Sequence, residues 1–460
     1  MQVQVKQTLH ARQALTATGW MENASIEIGR NGTITALKTN TPNENAHCVD
    51  ILLPGVANVH SHSFQRAMAG LAESRSNKGD DDFWSWRALM YKFLDRLTPD
   101  IIQAIAAQVQ LESLEAGFTS IGEFHYIHHQ PSGAPYAQIA ELTSRLVEAA
   151  QETGIGYTHL PVLYMRGGFD NSPLSDSQRR FGCNIDQFTE LFEEAKKIIE
   201  CSLPDYRLGI APHSLRAVDK ESLALATTLS FDSAIHIHIA EQTAEVDAAR
   251  AVLGARPVEW LIDNASVNEN WCLIHATHMN KSEASAIATN GASVGLCPVT
   301  EANLGDGIFD APEFVEVGGR ICVGSDSNIR ISLTEELRML EYSQRLNTRR
   351  RNLLTGETGS CGRFLLEETA RVGARAIGRD AGEIREGALA DMIALNVRNT
   401  ALDGLNGDQL LDSWIFSGDD RYIDDVWSAG RHVVRGGTHI HRDKITPRFL
   451  SVMKNLRSSL

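Results

Sequence analysis

Leu53-Pro-Gly-Val-Ala-Asn-Val-His-Ser-His-Ser-Phe-Gln-Arg66 decides how the rest of the chain is read. Val56 to Val59 predicts a short apolar strand running into His60 and His62. Strand side chains alternate faces, so residues two apart point the same way and both imidazoles aim at one spot. Neutral imidazoles converging at a strand end can hold a divalent metal. Two exposed loop histidines have the same spacing, so the pair needs further ligands, a base and a scaffold from elsewhere in the chain.

Upstream, residues 1–54 read as β. Gln2 to Val5 alternates, Ala24 to Ile28 is a strand, Arg30-Asn-Gly32 is a turn and Thr33 to Lys38 is the return strand. Downstream, over 55–375, apolar strands alternate with helices. After the first strand come Thr119 to Phe124, Ile155 to Tyr164, Arg207 to Pro212, Ala234 to Ala240, Trp271 to Thr277, Ala292 to Cys297 and Arg320 to Gly324. Amphipathic helices are expected between most of them, as at Asp100 to Ala116, Asp186 to Cys201 and Lys220 to Leu229. Eight strands in this alternation predict an α/β chain built on a (β/α)8 TIM-type barrel. A doubly wound open sheet carries a Gly-rich phosphate turn after its first strand, and Pro54-Gly55 is not one. β character returns at Gly387 to Leu395 and Val426 to Val434. The expected organisation is a small β-sandwich domain made from both ends of the chain, 1–54 and 376–445, around a catalytic barrel over 55–375. Residues 446–460 read as a tail, either a short polar helix or unstructured.

Lys and Arg total 43 against 58 Asp and Glu, a formal charge of −15, which argues against a nucleic-acid or anionic-membrane partner. The seven cysteines are scattered and never spaced Cys-x-x-Cys. They read as reduced thiols of a cytoplasmic protein rather than a disulfide framework or zinc ribbon. No secretory signal follows Met1, and no apolar run approaches the roughly 18 residues of a membrane span.

Catalytic groups in a (β/α)8 barrel sit at strand C-termini. Strand one ends with His60 and His62. Strand five, Ile235-His-Ile-His-Ile-Ala-Glu241, offers His238 nearest its end, with His236 deeper as a core histidine and Glu241 just beyond. Strand six ends at His275 and strand eight at Val323-Gly-Ser-Asp326. His60, His62, His238 and Asp326 satisfy a divalent metal and leave room for water.

Pro54-Gly55 leading to His60-x-His62, then His238-x-x-Glu241, His275, Ser325-Asp326 and Gly387-x-x-Ala390-Asp391, resembles the amidohydrolase superfamily in its aminohydrolase branch. The resemblance spans essentially the whole chain. It implies a mononuclear site with His60, His62, His238 and Asp326 as ligands, zinc before iron, and a homodimer. It also implies that His275 orients or deprotonates the attacking water, that Asp326 accepts a proton and that Glu241 delivers one to the substrate nitrogen.

For the substrate, Pro212-His-Ser-Leu-Arg216 places His213 and Arg216 on the rim, and Trp84-Ser-Trp86-Arg87 follows the first strand's loop. Two arginines over a metal site suit a dicarboxylate, because guanidinium pairs carboxylate in a bidentate fork. A nucleobase or thioadenosine does not need them. Segments 60–71, 83–87, 123–129, 212–216 and 238–242 are similar to the deiminases of this branch that open linear amidines. That resemblance implies hydrolysis of N-formimidoyl-L-glutamate to N-formyl-L-glutamate and ammonia in histidine degradation. It makes Gln65, Arg87, Tyr126, His213 and Arg216 the substrate contacts. In the family a histidine often follows Gly-Ser-Asp-Ser, where this chain has Asn328. A nucleobase-type aminohydrolase and a non-catalytic scaffold on the same fold are the competing readings. His128, His129, His439 and His441 are given no chemistry.

Overall fold

The computed structural model describes residues 5–39, 46–73, 83–230, 232–398 and 400–458. Four strands come first: β1 (Val5–Thr16), β2 (Gly19–Gly29), β3 (Ile34–Thr39) and β4 (His47–Pro54). The next nine are β5 (Val56–Ser61), β6 (Phe118–His125), β7 (Gly156–Leu163), β8 (Arg207–Leu208), β9 (Ala211–Pro212), β10 (Ile235–Ile239), β11 (Trp271–His275), β12 (Ser293–Leu296) and β13 (Arg320–Val323). Then come β14 (Met392–Leu395), β15 (Ile423–Ser428), β16 (Arg431–Arg435) and β17 (Thr438–His439).

Pairings among β5 to β13 are parallel and fall into two runs, β5 to β9 and β10 to β13. Two further parallel bridges, Ile210 to Ile235 and Ser61 to Asp326, join the runs at both seams. The ring is thereby closed, and helices such as Pro99–Glu115, Ile185–Glu200 and Lys220–Leu229 lie between its strands in sequence. These strands are buried on both faces, which is why they read as apolar runs rather than alternating ones. The fourth barrel strand is split into β8 and β9 at Gly209. A Cβ there would lie 2.4 Å from the Ala234 carbonyl oxygen, so only glycine lets the two strands approach.

The remaining strands form one eight-stranded sheet in the order β17-β16-β15-β14-β4-β1-β2-β3, antiparallel throughout except for β1 beside β4. Its period-two alternation serves two cores. Leu52, Met392 and Ala394 join Leu9, Ile26 and Trp427 in the interior of the β-domain. Their neighbours Ile51, Leu53, Ile393 and Leu395 face the main core with the barrel.

Three details differ from the sequence expectation. The first strand is long, and its buried His10 and Gln13 break the apolar alternation that marks a strand. Residues 2–4 of the expected Gln2 to Val5 strand lie outside the described residues. Only Met392–Leu395 of the stretch from Gly387 pairs as a strand. Of the two readings of the tail the helix holds, Arg442–Arg457, but it starts inside the expected β-domain bounds and is anchored: Ile445, Met453 and Leu456 are buried, and it packs on the helix Pro99–Glu115.

Candidate active site

At the C-terminal mouth of the barrel the first and last strands hold one another through their backbones. The His62 N–H donates to the Asp326 carbonyl and the Asp326 N–H to the His60 carbonyl, both at 2.9 Å. Gly324 permits this, because a Cβ there would lie 2.7 Å from the His60 nitrogen. The Asn58 side chain donates to Ser325 Oγ at 2.6 Å and accepts from the Ser325 N–H at 2.9 Å. Asp326 and His275 take positive φ, 46° and 67°, conformations that non-glycine residues rarely adopt and that concentrate where function needs a particular aim.

The four proposed ligands meet. His60 Nε2 lies 3.1 Å from His238 Nε2 and 3.5 Å from Asp326 Oδ1, and His62 Nε2 lies 3.3 Å from the same oxygen. Their tautomers follow from their other nitrogens. His62 Nδ1 donates to the Phe124 carbonyl at 2.9 Å and His238 Nδ1 to the His213 carbonyl at 3.1 Å. The Nε2 lone pairs of both rings therefore point inward, toward a carboxylate and one another. Bare lone pairs converging in a buried space are mutually repulsive unless a cation sits among them, so the donor set fits a divalent metal ion. Burial, reinforced by neighbouring imidazoles, holds His60 and His238 well below the ordinary histidine pKa. Neutral imidazole is the form that ligates.

Around this centre lie the proton-handling groups. His275 Nε2 is 3.8 Å from Asp326 Oδ2 and 4.0 Å from Glu241 Oε1, and its Nδ1 is 3.1 Å from Glu301 Oε1. Burial opposes its charge, but Glu241, Glu301 and Asp326 prevail and hold it up at about 10. Burial pushes the Glu241 carboxyl up to about 7, with His275 pulling the other way.

All five expected substrate contacts, Gln65, Arg87, Tyr126, His213 and Arg216, line one pocket together with His62, His238, Glu241, His275 and Asp326. Arg87 comes from the helix Phe83–Leu94 and donates to the Tyr164 hydroxyl at 3.2 Å. Gln65 donates to the Tyr126 hydroxyl at 2.7 Å. Arg216 Nε is buried with no hydrogen-bond partner among the described residues. A lone guanidinium edge of this kind is satisfied by an incoming anion. Residues 74–82, part of the segment leading to Arg87, lie outside the described residues.

A model of the amidohydrolase family matches residues 51–433. The chain belongs to that family. Formimidoylglutamate deiminase from Pseudomonas aeruginosa is 44% identical to this amidohydrolase over 454 residues, 97% of this chain and 99% of its own. The crystal structure of an amidohydrolase from Brucella melitensis superposes with a TM-score of 0.94 at 44% identity, covering 98% of this chain and 100% of the other. An adenosine deaminase from Xanthomonas campestris, crystallised with bound zinc, shares the fold at a TM-score of 0.81 and 18% identity over 99% of each chain.

Four other histidines of this amidohydrolase bond backbone carbonyls. His236 Nε2 bonds the Ala376 carbonyl at 2.7 Å, and His128, His129 and His439 each bond a backbone carbonyl at 2.7 to 2.9 Å. Asn328 is a brace and does not line the pocket. It is fully buried, accepts from Ser325 Oγ at 2.6 Å and donates to Ser61 Oγ at 3.1 Å, and its φ of 56° is one asparagine tolerates. Two buried carboxylates to which the sequence assigns no role frame the site. Glu123 accepts from the Ser63 N–H and hydroxyl at 2.8 and 2.6 Å, fixing the turn after His62. Glu301 accepts from the Cys297 N–H at 2.8 Å while holding His275. Glu301 lies on a short helix, Pro298–Leu304, directly after β12, and a carboxylate one turn past a barrel strand was the available signal.

Proposed function

We propose that this amidohydrolase converts N-formimidoyl-L-glutamate and water to N-formyl-L-glutamate and ammonia. One observation carries the reading: the 44% identity to the Pseudomonas deiminase spans nearly the whole chain, and it coincides with Arg87 and Arg216 in the same pocket as the histidine cluster. A dicarboxylate substrate offers both guanidinium groups of this pocket a bidentate partner; a neutral purine offers neither one. A scaffold that had lost its chemistry would lack one or more of the converging groups, and all are present.

In the reaction, water adds to the amidine carbon and the bond to the terminal nitrogen breaks, so both hydrogens of the water end on ammonia. His60, His62, His238 and Asp326 hold a single divalent ion, for which the His3Asp set suits zinc and also admits iron. That ion supplies Lewis-acid activation of the water. Arg87 and Arg216 clamp the carboxylates, with Gln65, Tyr126 and His213 fixing the chain between them, so that the amidine carbon is presented to the water. Asp326 takes the water's proton. His275, held from behind by Glu301, orients the water and balances the developing negative charge. Glu241, raised to about 7, can give its proton to the departing nitrogen and take another near neutral pH.

In this reading the enzyme serves histidine degradation as a cytoplasmic homodimer. The compartment is supported by cysteines that are all free, Cys48 and Cys201 among them exposed, and the dimer by the family resemblance. No helix among the described residues is long and apolar enough to cross a membrane. The domain division at 54, 375 and 445 belongs to the same proposal. The test is ammonia release from formimidoylglutamate, adenosine and guanine, each with and without chelator. Chelator-sensitive turnover of formimidoylglutamate alone is expected. No turnover of it by metal-replete enzyme overturns the assignment.

A further inference from the structure

A second convergence of ligating groups lies in the β-domain sheet, on strands that are not part of the barrel. His47 begins β4, Asp425 lies on β15 and His432 on β16. Asp425 Oδ1 is 2.6 Å from His432 Nε2, and its Oδ2 is 3.2 Å from His47 Nε2. One donor atom from each residue falls within 4.8 Å of the other two.

The rings are held before any ligand arrives. Trp427 is two residues beyond Asp425 on the same strand and pairs across the ladder with His432. Its buried indole stacks on the His432 ring, with centroids 4.4 Å apart and planes at 19°, and meets the His47 ring edge-on at 5.6 Å. The two imidazoles lie 5.0 Å apart at 69°. Asp425 and His432 are largely buried, whereas the His47 side chain is 44% exposed, so the cluster opens to solvent on one side. Asp424 lies close enough to feel both Asp425 and His47, with Arg398 opposing its charge.

We propose that His47, Asp425 and His432 form a second divalent-metal site, separate from the barrel, with water completing the coordination. Two imidazoles and a carboxylate with open positions suit zinc or a similar borderline ion. Without metal the carboxylate accepts one N–H from each ring. With metal each ring keeps its proton on Nδ1 and presents the Nε2 lone pair instead. The occupant is a clamp: His47 and Asp425 are 378 residues apart, so the ion ties the strand entering the barrel to the strands that follow it.

The test uses full-length protein stripped with chelator and titrated with zinc chloride, read by zinc uptake and thermal unfolding. Asp425→Asn keeps the shape of the site and removes its charge; His432→Ala removes a ligand and the Trp427 stack. Both variants are expected to bind one equivalent less than wild type, with ammonia release unchanged. The last equivalent should raise Tm in wild type and not in either variant. Equal stoichiometry in wild type and Asp425→Asn, well past saturation of the barrel site, overturns the proposal. So does a wild-type Tm unmoved by that last equivalent. Because the readout is a difference of one ion, a failure at the barrel site shows separately as lost ammonia release.

Discussion

The two ends of the barrel treat buried charge in opposite ways. Beside the N-terminal ends of β7 and β8, two arginines meet two aspartates in a charge-balanced set. Arg379 Nη1 is 3.0 Å from Asp205 Oδ2 and Nη2 3.0 Å from Asp391 Oδ2, while Arg431 Nη2 is 2.7 Å from Asp205 Oδ2. Asp391 also accepts the Ala429 N–H at 2.6 Å. Two cations balance two anions, and the cluster joins barrel to β-domain without help. At the C-terminal mouth the donors of His62 and His238 turn outward and their lone pairs turn in, toward Asp326. That cluster fits a cation from outside, and in the same pocket Arg216 Nε has no hydrogen-bond partner among the described residues. A self-sufficient charge network holds a fold together, whereas an unfinished one binds.

The comparison breaks first if Asp326→Asn keeps activity. Losing a ligand and proton acceptor together should cut kcat by at least ~10³-fold, measured as ammonia release, with no loss of Tm. Next comes Arg379→Met at the other end. It strands the buried Asp391 carboxylate, leaves Asp205 with Arg431 alone, and should cost about 3–5 kcal/mol of stability, seen in denaturant unfolding, with kcat per folded molecule unchanged. Its pH dependence sharpens the point. Burial works to raise the Asp205 carboxyl, but Arg431 and Arg379 outweigh it and hold it below the usual carboxylate range. The stability from this pairing is therefore present above the ordinary aspartate pKa and is lost as pH falls through the lowered one. The gap between wild type and Arg379→Met should accordingly narrow in acid; a gap constant with pH would count against the pairing. Smaller in effect is Arg216→Ala, expected to lose about 1.5–3 kcal/mol in kcat/KM for formimidoylglutamate, the range for a hydrogen bond to a charged group. Metal content, read by elemental analysis, should be intact. Smallest is Glu301→Gln, expected to lower kcat about 10- to 100-fold with little change in KM, since it acts through His275. A KM effect would place Glu301 against substrate instead.

The mouth was far more legible in the sequence than the opposite end. His60, His62, His238, His275 and Asp326 each sit at a strand terminus, and strand termini follow from hydrophobic runs that end abruptly. The arginine–aspartate network left no such mark. Asp205 lies in a loop, Arg379 after a helix and Asp391 before a strand, so only the three-dimensional packing reveals that they touch. Glu301 escaped notice for a related reason: its helix is a short insertion after β12 rather than a barrel crossover. The role of Asn328 became readable only from its bonds to Ser325, just past the last barrel strand, and Ser61, at the end of the first.

The seam between β5 and β13 has a consequence for biosynthesis. Asn58 and Ser325, which lock it, are 267 residues apart, and the proposed ligands straddle it. A ribosome exposes His60 and His62 long before it has made Asp326. The growing chain thus cannot assemble the full ligand set until the last barrel strand has emerged and the ring has shut. Metal loading is in effect a certificate of completed folding, because a truncated or open barrel has no place to keep the ion.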